Sequence, residues 1–335
     1  AIFMSDDFRV ITTRTPLRIT FAGGGTDIPA YYRKYGPGAV VSATINKYIY
    51  VTVAKNFYRD EIRVSYSKTE NAIKNIDDIQ HPTVRESLKL LDIKSGIQII
   101  SITEIPSRGT GLGSSSSFLV GLLNALHAWK GEAVPPKQIA EEAVKIEREI
   151  LKEPGGKQDQ YMAAFGGINL MEFFPDENVS IRKIDTNLDL LNENLMMFFT
   201  GIERDGTSIH SVQRTLVDKN LEKYNSARDL AYNMVEAISK VDIKKIGDIM
   251  YSNWKLKRDF SPGITNEKID LIFEKCMKAG ALGGKIQGAG GGGFFLFIVD
   301  DKNKENVKKS VPELIELPIK IITKGSEIVY SEKNE

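Results

Sequence analysis

The chain has one cysteine and three histidines among 335 residues. A lone Cys276 excludes an intrachain disulfide and fits a reducing compartment, so a cytoplasmic protein is expected. Together with the scattered His81, His127 and His210 it cannot build an ordinary zinc site. An excess of one charge is also missing. The 45 Lys and Arg stand against 44 Asp and Glu, which leaves no basic surplus for a nucleic acid or an anionic membrane. No apolar run approaches the ~18 residues of a membrane span. No basic-then-apolar leader opens the chain, and the three residues before Met4 are set aside from the fold reasoning. No repeat marks a solenoid. The 41% hydrophobic content allows substantial cores, and the length favours two domains.

What is present in quantity is glycine, and it is clustered. The three clusters are Gly23 to Gly25, Gly109 to Gly113, and Gly288 with Gly290 to Gly293. Each lies at the end of, or between, strand-like segments, which points to backbone approaching a ligand at several places. The middle cluster, GTGLGSSSSF, follows GIQIISITEIP, which alternates like a strand, and precedes Phe118, Leu119, Leu122, Leu123 and Leu126, which share a helical face. The layout is strand, glycine turn, helix N-terminus. Free N–H groups and the helix dipole make such a start a phosphate site, although a capped helix behind a tight turn has the same outline. Gly113 is followed by Ser114 and not by Lys, so the Walker pattern fails. The G-x-G-x-G spacing fails the dinucleotide fingerprint as well.

Strands are expected at LRITFAG, AVVSATINKYIYVTVAKN, EIRVSYS and GIQIISITEIP, and a hairpin at INLMEFF and VSIRKID. Helices are expected at HPTVRESLKLLDI, SFLVGLLNALHAWKG, PKQIAEEAVKIEREILKE and KQDQYMAAFG. DTNLDLLNEN reads as a polar connection. The second half is mostly helical, then gives GGKIQGAGGGGFFLFIVD, a short helix near NKENVKKSV, and a closing strand pair in IKIITKGSEIVYS. Two domains are expected, residues 1–185 and 186–335.

In this order, TPLRITFAGGGTD, GTGLGSSSSF and KIQGAGGGGF resemble the three motifs of the GHMP kinases, over about residues 14 to 300. RTPLRITFAGGGTDIPAYY, SATINKYIYV and GGKQDQYMAAFGGIN resemble more closely the branch of D-glycero-D-manno-heptose 7-phosphate kinases. That branch phosphorylates an anomeric hydroxyl. Fucokinase-type and other anomeric sugar kinases share much of this wording. The resemblance implies an α+β fold in two parts, an N-terminal domain like ribosomal protein S5 domain 2 and a C-terminal ferredoxin-like domain, with the active site between. It implies ATP and Mg²⁺, and a small sugar phosphate as acceptor. A fold-retaining member without chemistry and a decarboxylase of diphosphorylated mevalonate are the rival readings.

The resemblance also carries site residues. Gly109, Gly111, Leu112, Gly113, Ser114, Ser115 and Ser116 would cradle the nucleotide phosphates, with Ser115 (or its neighbour Ser114) on Mg²⁺. Glu147 would be the metal's carboxylate. Helical spacing independently sets Glu147 inside the stripe of Ala140, Val144 and Leu151, where an inward Glu paired to a Lys or Arg is the other reading. Asp159 would accept the sugar proton; a helix-start Asp is also a cap. Arg18 would orient Asp159 or stabilise transferring charge; by alternation it shares a strand face with Thr20, which could be a solvated face. Asp27, with Gly25 and Thr26, would bind the sugar, while Asp27 also suits the start of its own helix, with Pro29 in the first turn. Gly290 and Gly291 complete the sugar site. A phosphorylated acceptor needs a further cation, for which Lys157 is the first candidate, with Arg14, Arg33, Lys47 and Arg204 behind it.

Overall fold

The computed structural model describes residues 8–106 and 109–334; the segment before Met4 lies outside the described residues. The strands are β1 (Phe8–Ala22), β2 (Gly38–Lys55), β3 (Ile62–Ser65), β4 (Thr69–Ile73), β5 (Ile97–Thr103), β6 (Ile168–Phe173) and β7 (Val179–Lys183). They are followed by β8 (Leu195–Phe199), β9 (Ala281–Ile286), β10 (Phe294–Val299), β11 (Ile315–Glu316) and β12 (Glu327–Lys333). The helices of the first half are α1 (Pro29–Tyr35), α2 (Pro82–Leu90), α3 (Ser114–Trp129), α4 (Pro136–Val144) and α5 (Gln158–Phe165). Those of the second are α6 (Leu188–Asn192), α7 (Thr207–Gln213), α8 (Leu221–Ser239), α9 (Ile243–Lys257), α10 (Glu267–Lys278) and α11 (Lys304–Ser310).

Two sheets result. The larger runs β12-β1-β2-β5-β3-β4, with β6 and then β7 branching from β2. The branch exists because β2 is long enough to serve two partners, β6 along Gly38–Ala43 and β5 along Ile49–Lys55. The smaller sheet runs β11-β8-β10-β9. Helix α3 is apolar nearly all round, and accordingly it is buried nearly all round, packed on β1 and β2. Helix α9 covers β9 and β10, and α8 reaches across to β1 and β2.

Three elements differ from expectation. DTNLDLLNEN contains α6, started by Asn187, whose side chain accepts from Leu190 N–H at 3.1 Å, and anchored by buried Leu191. The long helix from Pro136 changes at Lys145 to a π-helical turn, Lys145–Ile150. The closing strand pair does not form. Residues of that segment make an isolated bridge from Ile321 to Ile45, and β12 pairs with β1. The chain therefore returns to the first sheet after building the second, with β12 as the edge strand beside β1.

The seam between the sheets is made of side chain on backbone. A register shift between Thr20 and Ala22 breaks the ladder of β1 against β2. Gln287, just past β9, bonds β1 on the edge where Arg18 N–H meets Leu112 O: its Oε1 accepts from Thr20 N–H at 2.7 Å and its Nε2 donates to Thr20 O at 3.2 Å. Gln287 is wholly buried. Replacing it by leucine orphans the buried Thr20 N–H, at a cost of about 1–3 kcal/mol, and leaves Thr20 O only Lys285 Nζ at 3.5 Å. Gln287→Leu is expected to lower the midpoint of urea unfolding by a corresponding amount, with near-native circular dichroism; an unchanged midpoint would show that the seam contributes nothing.

Candidate active site

Helix α3 begins in a left-handed turn. Gly109, Gly111 and Gly113 have φ of 69°, 74° and 75°, a region that favours glycine. Two of these positions also need the missing side chain. A Cβ on Gly111 would lie 2.2 Å from Gln287 O, so the loop rests directly on the backbone after β9. A Cβ on Gly113 would point at the Asp159 carboxyl carbon, 3.2 Å away. The unbonded N–H groups of the first turn, Ser114 to Ser116, thus start beside Asp159. The serines differ in what they touch. The Ser114 hydroxyl meets Thr110 at 3.2 Å, Ser116 Oγ donates to Glu147 Oε1 at 2.7 Å, and Ser117 Oγ donates to Pro16 O at 2.8 Å. Ser115 is exposed. The hydroxyl held against the carboxylate is that of Ser116, one residue beyond the expected Ser115.

Arg18 holds the centre. Its Nε donates to Asp159 Oδ1 at 2.6 Å, and its Nη1 donates to Gly111 O at 2.6 Å. Its backbone N–H donates to Leu112 O at 3.0 Å. The alternation of β1 was read correctly, with Leu17, Ile19 and Phe21 in the core. The opposite face is not solvated, because the loop and α5 cover it and Arg18 is only 5% exposed.

Asp27 is buried and does cap a helix, but not its own. Ile28 is the N-cap of α1 and makes no side-chain bond. Asp27 Oδ2 accepts instead from the backbone N–H of Lys157 at 2.9 Å and of Gln158 at 3.0 Å, at the start of α5. The helix that carries Asp159 is thereby fixed to the first glycine cluster. Burial, and then the nearby Asp159, raise the Asp27 carboxyl above its ordinary range against those N–H bonds. Gly25 lies against Gln213 and Phe260. Thr26 is spent internally, its hydroxyl bonded to Gly23 O at 2.8 Å and Ala39 O at 2.9 Å.

Glu147 is 1% exposed, on the π-helical turn. Such turns recur at functional sites. It has no cationic hydrogen-bond partner among the described residues. Its Oε1 accepts from Ser116 and from Gln160 Nε2 at 3.2 Å, while Arg148 donates to Gly156 O at 2.8 Å. Burial raises the Glu147 carboxyl, more than Arg148 and Ser116 lower it. Beside it, Gln160 Oε1 is buried with no partner.

The cations expected for a substrate phosphate need correction. Lys157 Nζ is paired with Glu177 Oε2 at 2.9 Å and lies over the Tyr32 ring. Against its burial, hydrogen bonds from Lys157, Tyr32 and Arg33 lower the Glu177 carboxyl to about 2. Arg33 shares that carboxylate, and Arg14 is paired with Glu327. Lys47 is half-buried between the two pairing halves of β2. Gly290 and Gly291 face Ile264 and Arg204, and the glycines that meet the loop before α3 are Gly288, against Gly111, and Gly293, against Thr110 and Gly109.

Sequence reasoning missed two buried lysines of the second half and, beside Lys257, a half-buried His210. Lys257 Nζ donates to Ile286 O at 3.5 Å and to Gly288 O, and burial, then Arg18, lower it to about 7. Lys285 is fully buried, with Thr20 O 3.5 Å from its ammonium. His210 is lowered to about 4, first by burial and then by Arg148 and Lys257. A signal for Lys257 existed: it continues the buried stripe of Ile246, Met250 and Trp254 on α9, the pattern that singled out Glu147.

Known proteins resemble the chain in sequence and in fold. Residues 73–167 match the family profile described as GHMP kinases N terminal domain, and residues 234–316 match GHMP kinases C terminal. A D-glycero-alpha-D-manno-heptose 7-phosphate kinase of Campylobacter jejuni is 32% identical over 90% of this chain and 93% of its own. The chain belongs to the GHMP kinases. As a GHMP kinase it is an ATP-dependent phosphotransferase with a hydroxyl acceptor, and its relatives make it a sugar kinase. A bifunctional fucokinase/GDP-fucose pyrophosphorylase of Arabidopsis thaliana is 27% identical over 68% of this chain, and this covers 22% of that protein. The crystal structure of a D-glycero-D-manno-heptose 1-phosphate kinase from Bacteriodes thetaiotaomicron superposes with a TM-score of 0.79 at 24% identity, over 96% of this chain and 99% of that one. The two-sheet architecture is the two-domain GHMP kinase fold. Among the described residues no helix is long and apolar enough to cross a membrane.

Burial of Glu147 gives this GHMP kinase a testable pH signature. A carboxyl raised in the folded state binds its proton more tightly there than in the unfolded chain. The stability it confers therefore falls as pH rises from its ordinary 4.5 toward the raised value. Glu147→Gln removes that component. In metal-free protein the variant is expected to have a higher Tm than wild type at neutral pH and a Tm that changes less as pH rises above 4.5. A lower Tm at neutral pH would mean that the ionised carboxylate stabilises the fold.

Proposed function

We propose that the chain transfers the γ-phosphoryl group of ATP to the anomeric hydroxyl of D-glycero-D-manno-heptose 7-phosphate. The observation that carries the chemistry is the Arg18–Asp159 pair, 2.6 Å apart beneath the turn that opens α3. The substrate rests on the heptose kinase relative, which matches nearly end to end. In this reading the nucleotide phosphates lie on the N–H groups from Gly111 to Ser116. The sugar enters beside Asp27, whose Oδ2 is engaged by α5 and whose other oxygen is left for a sugar hydroxyl. Asp159 Oδ1 is engaged by Arg18, so Oδ2 takes the acceptor proton as the hydroxyl oxygen bonds to phosphorus and the bond to the bridging oxygen of ADP breaks. Arg18 keeps the oxygen of Asp159 aimed and places positive charge where negative charge gathers.

The chain's donors also fit a magnesium ion. Glu147 is a buried carboxylate without a cation partner, Ser116 supplies a hydroxyl, and Gln160 Oε1 is an unsatisfied oxygen beside them. These are hard ligands, and Mg²⁺ takes the rest of its shell from phosphate and water. Glu147 and Ser116 would hold it, with exposed Ser115 adjacent. When bound, it neutralises charge on the nucleotide phosphates.

A second reading is a kinase for a free sugar of the fucose type. It is favoured by the engagement of Lys157 with Glu177, which takes away the cation first expected for a phosphate on the acceptor. A phosphotransfer screen over heptose 7-phosphate, fucose and hexoses, with NMR assignment of the phosphorylated carbon, decides between them. The heptose phosphate is expected to have the highest kcat/KM and to be modified at C1. Preference for a free sugar would overturn the substrate and leave the reaction type. Asp159→Asn is expected to lower kcat by about 10²–10⁴-fold with ATP affinity nearly intact; near-wild-type turnover would remove Asp159 from the chemistry.

A further inference from the structure

Arg204, in the connection between β8 and α7, is an exposed arginine around which three separate segments carry glycine. At Gly109 a Cβ would lie 2.3 Å from Arg204 N and 2.8 Å from Arg204 O. At Gly291 it would lie 2.9 Å from Arg204 Cδ and 3.1 Å from Nη1, and at Gly263 it would lie 3.9 Å from Nη1. All three glycines have positive φ, at 69°, 78° and 87°. The backbone of Arg204 is thus seated on the first glycine of the phosphate loop, and its guanidinium passes over the third glycine cluster.

No carboxylate lies within ion-pair distance of Arg204 among the described residues, and none there accepts a hydrogen bond from it. The acids of the cleft have other partners: Asp159 has Arg18, Asp27 has the start of α5, and Glu147 has Ser116 and Gln160. Of the arginines first weighed as anion ligands, Arg14 and Arg33 are each paired to an acid. A guanidinium placed by three glycines and left without an anion, beside a loop of free N–H groups, is suited to a polyphosphate, which it can grip with two parallel bonds. Its seat on Gly109, at the entry of the loop, sets it beside the phosphates proposed to lie there.

We propose that Arg204 binds the β- and γ-phosphates of the nucleotide from the second domain, opposite the Gly109–Ser116 loop. The proposal rests on the assignment of that loop to ATP. It does not depend on which sugar is the acceptor.

The test uses the full chain and Arg204→Ala and Arg204→Lys variants. Calorimetry with a non-hydrolysable ATP analogue and with AMP needs no acceptor. Arg204→Ala is expected to weaken the triphosphate tenfold or more and leave AMP within twofold. Arg204→Lys is expected to recover only part of the loss, because a point charge does not reproduce the bidentate fork. With an acceptor present, added guanidinium is expected to restore turnover of Arg204→Ala at least tenfold and to leave wild type unchanged. Triphosphate affinity within twofold of wild type in a folded Arg204→Ala overturns the proposal. So does a rise confined to the KM of a phosphorylated sugar, which would assign Arg204 to the acceptor. If no sugar tested turns over in wild type, the substrate reading fails while the calorimetry still decides on Arg204.

Discussion

One buried arginine organises the site. Arg18 stands on β1, bonds the first turn of α5 through Asp159, and bonds the phosphate loop through Gly111 O. Three stretches of chain distant in sequence meet at a single guanidinium. Its planar fork suits this, because two donors in fixed directions set two partners at once. A buried charge is tolerated only when it is paired and hydrogen-bonded, so the site cannot relax one partner without cost to the other. The cap from Asp27 to the start of α5 acts in the same sense, since it fixes the helix whose first turn presents Asp159.

The surrounding charges are held in a state that burial opposes. Glu147 and Asp27 are carboxyls raised by burial, while Lys257 and Lys285 are ammonium groups lowered by it. Each is poorer in opposite charge than a buried ion should be. In the proposed function a nucleotide with its magnesium ion would supply both missing signs, cation to Glu147 and anion to the basic groups. Stability given up to these unpaired charges would then be recovered as differential binding.

Period carried most of what was legible. Alternation along β1 separated Arg18 from the core, and helical spacing set Glu147 inward. Order and spacing of three glycine clusters identified the family. What stayed hidden was partnership across the chain. Nothing local to Asp27 says that it caps a helix 130 residues away, because any free N–H pair would serve. Nothing local to Lys157 reveals Glu177 in the β6–β7 turn. The return of β12 to β1 was hidden because an edge strand shows the same pattern whichever sheet it joins. Lys257 could have been found, since its place in the buried stripe of α9 is as plain as that of Glu147. Lys285 could not, because a lysine in a strand otherwise reads as a solvated face.

The central claim is that Arg18 and Asp159 act as one unit in the phosphoryl transfer. A double-mutant cycle on kcat/KM, with Arg18→Met, Asp159→Asn and the combined variant, measures this directly. The account predicts that the double variant is little worse than the poorer single variant, a coupling energy well above about 1 kcal/mol. Losses that simply add, with coupling below about 0.5 kcal/mol, would contradict it.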